Sequence, residues 1–110
     1  MERFVKGDVV VIPFPFSDLT ETKRRPALIL TALDGSDVIL CQITSRNVKD
    51  GYAIQISDDD FESGTLKQIS NVRPNRIFTA DGQIVLYKIG KLQTAKISHI
   101  VNKVVEIISY

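Results

Sequence analysis

The sequence predicts a mainly β protein with one C-terminal helix, folded as a small, strongly bent barrel that the helix caps. Three observations carry this. Short β-branched runs recur from residue 8 to residue 79, separated by proline, glycine and acidic turns. The tail then changes period: Ile97, Ile100, Val101, Val104, Ile107 and Ile108 follow i, i+3, i+4, i+7 spacing, one face of an amphipathic helix. Finally, 110 residues without repeats, low-complexity tracts or linkers support one domain, residues 1–110, with a small core.

In chain order, residues 8–13 are a continuous apolar run rich in β-branched residues, which suits a strand buried on both faces. Pro13 and Pro15 should stop it, and residues 16–24 read as a long polar loop. Residues 27–32 form the next strand. Asp34-Gly35 is a tight-turn signal and residues 38–43 return, so strands two and three are expected as a hairpin. Residues 46–51 are a second polar loop, and the alternation over residues 52–56 reads as a half-buried strand. Residues 57–64 are an acidic loop with room for one helical turn. Residues 65–70 and 71–79 look extended, with an interruption near Asn71, and Pro74 suits an edge or a bulge. Thr94 is the expected N-cap of the final helix, with Lys96, Asn102 and Lys103 on its outer side.

Composition narrows the class. An apolar content of 44% with 25% charged residues is that of a soluble globular protein. A core this small makes homodimerisation a plausible source of further burial. No apolar run approaches the roughly 20 residues of a membrane span. The first residues lack the longer apolar stretch of a signal peptide, and a cytoplasmic protein is expected. Cys41 has no cysteine partner within the chain and sits in an apolar strand, where it reads as a small buried hydrophobe. The net charge of +1 says nothing for nucleic acid, but the charge distribution does. Asp58, Asp59, Asp60 and Glu62 crowd together. From residue 63 onward Lys67, Arg73, Arg76, Lys88, Lys91, Lys96 and Lys103 face only Asp81 and Glu106. That split can leave one basic face on a nearly neutral protein, although a solvated mixed surface is the plainer alternative.

Several chemistries are excluded. His99, the one histidine, lies in the helical pattern, so a two-histidine acid–base ribonuclease cannot be built within one protomer. One histidine and one cysteine do not make a zinc site. The aspartate triplet lacks the spacing and glycine of a calcium loop and reads as a solvated acidic loop. No phosphate-binding glycine motif is present, and a cysteine inside an apolar strand is a poor thiolate. No metal and no cofactor are implied. What remains is arginines and hydroxyls.

The stretch Lys23-Arg24-Arg25-Pro26-Ala27-Leu28-Ile29-Leu30 places three cations before a proline that opens a strand. Pro26 fixes its own φ and biases Arg25 towards extended backbone. A guanidinium at the root of a strand is well placed to meet phosphate oxygens bidentately. A solvated basic loop is the competing reading. RNA carries its own nucleophile, so its cleavage asks the protein to orient the 2′-OH, move protons and stabilise phosphorane charge. Phe14-Pro15-Phe16 offers rings on which bases can stack, or alternatively packs in a core or dimer contact.

These segments resemble the MazF/PemK family of toxin ribonucleases. The motifs are Gly7-Asp8-Val9-Val10 and Arg25-Pro26-Ala27-Leu28-Ile29-Leu30. The resemblance continues through Gln42-Ile43-Thr44-Ser45, Val72-Arg73-Pro74 and Ile77-Phe78-Thr79 to Ile89-Gly90-Lys91-Leu92. It covers nearly the whole chain. It implies an SH3-like small barrel and a metal-independent endoribonuclease acting on single-stranded mRNA. Such an enzyme leaves 2′,3′-cyclic phosphate and 5′-OH ends. It also implies a homodimer and a cognate antitoxin that blocks the RNA groove. By the resemblance Arg25 and Thr44 are the catalytic pair. The strand reading brings both to adjacent hairpin ends, while the plain alternative for Thr44 is a hydroxyl bonded to local backbone. Lys23, Arg24, Ser45 and Arg46 flank the pair as expected phosphate or base contacts, with Phe14 and Phe16 as stacking rings. Ser70 and Arg76 match substrate-contacting positions of some members, and Arg73 adds a cation. Some members carry an arginine where this chain has Phe78, so a mechanism using it does not transfer, although Asp81 is retained.

Two rivals remain. A barrel toxin that inhibits a protein target such as DNA gyrase would depend on residues 107–110 rather than Arg25. A non-catalytic barrel would bind RNA, in a salt-dependent way, without turnover.

Overall fold

The computed structural model describes residues 3–15 and 22–110. Among these, seven strands form one antiparallel sheet in the order β4-β6-β3-β2-β1-β7-β5. The strands are β1 (Asp8–Pro15), β2 (Thr22–Ala32), β3 (Asp37–Thr44), β4 (Ile54–Ile56), β5 (Phe61–Gly64), β6 (Ser70–Asp81) and β7 (Tyr87–Leu92). Helix α1 (Thr94–Ile108) follows. The sheet is so strongly curled that the molecule measures 32 × 32 × 31 Å. It is a half-barrel, since β4 and β5, at the two ends of the order, are not hydrogen-bonded to each other.

Curling explains the core. Val9, Leu28, Cys41, Ile54, Phe61, Val72 and Leu92, one from each strand, meet on the inside, and Ile100 of α1 joins them. Fully burying a side chain of that size contributes about 1.5–3 kcal/mol. A second cluster, Val10, Ile12, Ala27, Ile29, Val38 and Leu40, packs on the other face of β1–β3, covered in part by Phe4, Phe14, Phe78 and Val85. The central strands are therefore buried on both faces, as the continuous run over residues 8–13 predicts. The buried carboxylate of Asp8 accepts the Val5 N–H (2.9 Å) and pairs with Lys88 (3.1 Å), which pins the start of the chain to β7.

The predicted hairpin is present: the Leu33 N–H donates to the Asp37 carbonyl (2.9 Å) across the Asp34-Gly35 turn. The bulge at Pro74 is also present, because β6 pairs Arg73 with Gln42 and next pairs Ile77 with Cys41.

Other boundaries move for identifiable reasons. β1 runs on through Pro13 and Pro15 to meet Thr22. The Val11 carbonyl faces β7, where it accepts the Leu86 N–H. Pro13 and Pro15 have the same parity as Val11, and β7 pairing ends at Tyr87, so the missing N–H groups face an edge that no described strand pairs. Lys23 and Arg24 consequently lie in β2 rather than in a loop. Tyr52 and Ala53 do not join β4, because Asp50 Oδ1 takes both N–H groups (3.0 and 3.1 Å). Residues 65–69 turn instead of extending. Lys67 has φ +65° and its N–H donates to the Thr65 hydroxyl. The acidic loop contains a 3-10 turn, Asp58–Asp60, but its second half is β5, with Phe61 buried opposite Leu92. Gln93, not Thr94, is the N-cap. Its side chain donates to the Asp59 carbonyl (3.0 Å) and ties α1 to the 3-10 turn. At the far end of α1, Ile108 is exposed, so the apolar stripe is buried only in part.

Candidate active site

β2 and β3 pair from Ala32↔Val38 as far as Ala27↔Gln42 and then part. Pro26 is the next residue. Its ring nitrogen points towards β3 and has no hydrogen to donate, so the sequence itself ends the ladder there. Continuing the register by two residues would set Arg25 opposite Thr44. Both belong to the face that carries Ile12, Ala27 and Leu40, and Arg25 pairs directly with Ile12 on β1. Phe14, paired with Lys23, continues that face, and its ring meets Phe78 edge-on at 5.3 Å. Phe78 is thus engaged in an aromatic contact. Asp81 serves structure: its carboxylate accepts the Gln83 N–H (2.9 Å).

The gap between the parted strands opens as a groove of about 470 Å³ on the other face. Lys23, Arg24 and Arg25 line one side, Ser45 and Ser70 the other, with Tyr87, Ile89, Leu66 and Gln68 completing the wall. Among the described residues three cations and no carboxylate line it, a charge balance suited to a polyanion. Arg24 and Lys23 are exposed, and Arg25 is half-buried at the edge where groove and outer face meet.

Thr44 is buried, at 6% exposure. Its Oγ1 accepts the Arg46 N–H (3.2 Å), the local bond that the plain reading predicts. The hydroxyl is the acceptor there, which leaves its own proton for another oxygen. Ser70 is buried and donates to the Gln68 carbonyl (3.2 Å). Arg46 is exposed, and its carbonyl accepts from the Asn71 side chain (3.0 Å). Arg76 is exposed within the β6 bulge and is not among the groove residues. Phe16 lies outside the described residues.

Arg73, an added cation by sequence, is paired: Nη2 donates to Asp50 Oδ2 at 2.8 Å. The N–H of Tyr52 and then the Arg73 guanidinium hold the Asp50 carboxyl below its ordinary pKa. Burial pushes the Cys41 thiol up to about 12, so it is protonated and inert at neutral pH. His99 is exposed on α1, away from the groove. The aspartates of the 3-10 turn serve structure as well. Asp60 accepts the Ser57 N–H and pairs with Lys96, and Asp58 accepts the Thr65 hydroxyl. Among the described residues, no cluster of His, Cys, Asp and Glu is arranged to hold a metal ion, and no helix is long and apolar enough to cross a membrane.

Three participants were not legible in the sequence. Tyr87 stands half exposed in the groove wall, on a strand with no clear alternation. Asn71 and Asp50 reveal themselves only through their bonds to and within the β3–β4 loop.

Fold and site together define a small β half-barrel with a cationic edge. A profile of the PemK-like, MazF-like toxins of type II toxin–antitoxin systems matches residues 5–108, and the chain belongs to that family. Its fold is similar to MazE–MazF (Form-II) from Deinococcus radiodurans, with a TM-score of 0.79 at 16% identity, covering 99% of this chain and 98% of that one. MazF (Form-I) from the same organism gives 0.76 at 16% identity, with 100% of both chains covered. An endoribonuclease in complex with its cognate antitoxin, from mycobacterial species, gives 0.74 at 15% identity over 96% of this chain and 94% of that one. No curated protein matches the chain. At such identities the likeness is one of fold.

Proposed function

We propose that this chain is a toxin endoribonuclease that cuts single-stranded mRNA at a short sequence, using the substrate's own 2′-OH as nucleophile and no metal or cofactor. The observation that carries this is the placement of Arg25 and Thr44 on one face at the parting ends of β2 and β3, beside a groove whose described lining holds three cations and no carboxylate.

In this reading the 2′-oxygen bonds to phosphorus while the bond from phosphorus to O5′ breaks. One proton leaves the 2′-OH and one arrives at O5′, giving a 2′,3′-cyclic phosphate and a 5′-OH. Arg25 bears on the charge that develops on the phosphorane oxygens, where one well-placed donor contributes about 3 kcal/mol. An arginine is normally protonated, which suits charge stabilisation and the leaving-group side better than the role of base. Thr44 donates its hydroxyl proton to a non-bridging oxygen. Lys23, Arg24 and Ser45 hold flanking phosphates, and Tyr87 offers an exposed ring for a base. The family membership and the antitoxin complexes of structural relatives support a cognate antitoxin as partner, and the resemblance adds a second copy of the chain. The antitoxin would have a disordered tail that folds over the groove.

The test is incubation of the purified protein with a long single-stranded RNA in EDTA, with end mapping and phosphatase analysis of the products. Discrete cuts bearing cyclic phosphate and 5′-OH ends are expected. Intact RNA from folded, antitoxin-free protein would move the assignment to a protein-targeting toxin or a passive RNA binder.

A further inference from the structure

The connection between β3 and β4, residues 45–53, is a largely exposed loop that begins at Thr44. Little apolar surface is buried there, yet the loop is tied down at both ends by side chains of one strand. At its start the Arg46 N–H donates to Thr44 Oγ1 and the Arg46 carbonyl accepts from Asn71. At its end Asp50 closes an Asx turn, with Oδ1 accepting the Tyr52 and Ala53 N–H groups, and Gly51 adopts the left-handed φ of +77° that the turn requires. Arg73 then grips Asp50 Oδ2 at 2.8 Å from β6. Asn71 pairs with Thr44 and Arg73 with Gln42, so both clamps rise from the face that carries Arg25 and Thr44.

We propose that the Asp50–Arg73 pair is a latch that fixes the β3–β4 loop before RNA arrives, making Asp50 and Arg73 positioning residues that set which RNA sequence is cut. The inference rests on the ribonuclease reading. Between the two clamps the loop carries Arg46, Asn47 and Lys49, donors and acceptors suited to the edges of unstacked bases. The core does not need this loop to be ordered. A reader of bases does, because donors held in place discriminate between bases while a mobile loop adapts to each. The near end of the loop is held separately through Thr44 and Asn71. Releasing the far end should therefore change choice of site rather than the chemical step.

The experiment uses Asp50→Ala, Arg73→Met and Arg73→Lys in the full chain, with melting curves to confirm folding. Each is given a pooled-sequence single-stranded RNA in EDTA, and cut sites are counted by end sequencing. The saturating rate on the wild-type site is measured beside it. Asp50→Ala and Arg73→Met should each lower the preference for the best site over its single-base variants about tenfold. The saturating rate at that site should stay within about threefold, because the cutting groups are untouched. Arg73→Lys, which keeps one donor within reach of Oδ2, should retain most of the preference. If Arg73→Met does not fold, Asp50→Ala, on the exposed loop, carries the test. Wild-type preference in both Asp50→Ala and Arg73→Met, or an equal loss of rate at every site, would overturn the latch while leaving the ribonuclease standing. Absence of cutting by folded wild type would overturn the ribonuclease reading, and the latch with it.

Discussion

Thr44 makes the local bond of its plain reading, accepting a backbone N–H, and its own hydroxyl proton is left for the catalytic role proposed for it. Its position at the end of β3 and that of Arg25 before Pro26 were legible, because a proline and a strand end are one-dimensional signals. Arg73 was legible only as a cation, since its partner Asp50 is 23 residues distant and the 2.8 Å bond depends on loop shape. Phe78 shows the converse: by the resemblance it differs from some members of the family, and only the fold supplies its use, an edge-on contact with Phe14. Tyr87 is the groove residue the pattern hid. If it stacks a base, Tyr87→Ala should raise the KM for RNA about tenfold, the lower part of the 1–3 kcal/mol range for one stacked base, with kcat little changed. Steady-state kinetics on a short RNA decide it, and an unchanged KM removes Tyr87 from the RNA path.

Among the elements, the existence of β1–β3 and α1 was readable, because period and turn chemistry act locally, but their ends were not. The misjudged ones turn on neighbours. Pro13 and Pro15 stop a strand only if another strand needs their N–H groups, and here β7 has already ended. β7 and β5 escape a periodicity search because they meet through Gly64 and Gly90, which contribute close approach and no apolar signal. A Cβ at Gly90 would collide with the Ser63 carbonyl, a backbone atom that cannot swing aside. Gly90→Ala should therefore destabilise the fold by about 1–3 kcal/mol, the usual cost of overpacking. Urea unfolding reads this, and a midpoint equal to wild type would show that β5 and β7 are not so tightly apposed.

At the scale of the molecule, the curled sheet encloses one inner core and leaves apolar surface outside it. Val101, Val104, Val105 and Ile108 of α1 line a groove of about 320 Å³ with Leu30, Ile39 and Ile77 of the sheet, and Val105, Ile108 and Ile77 are exposed. The homodimer that the resemblance implies would gain burial by covering this surface. Light scattering should then give twice the 12.3 kDa of one chain, and a mass of 12.3 kDa at micromolar concentration would exclude it. The central claim is that the parted ends of β2 and β3 form a site that cuts RNA. Its most direct test is the rate of cutting of one long single-stranded RNA in EDTA by wild type, Arg25→Ala, Thr44→Ala and, as control, Arg76→Ala. The account predicts discrete wild-type cuts, a loss of about 100-fold or more in Arg25→Ala, a clear loss in Thr44→Ala, and near-native cutting by Arg76→Ala. Cutting by Arg25→Ala at the wild-type rate would contradict it.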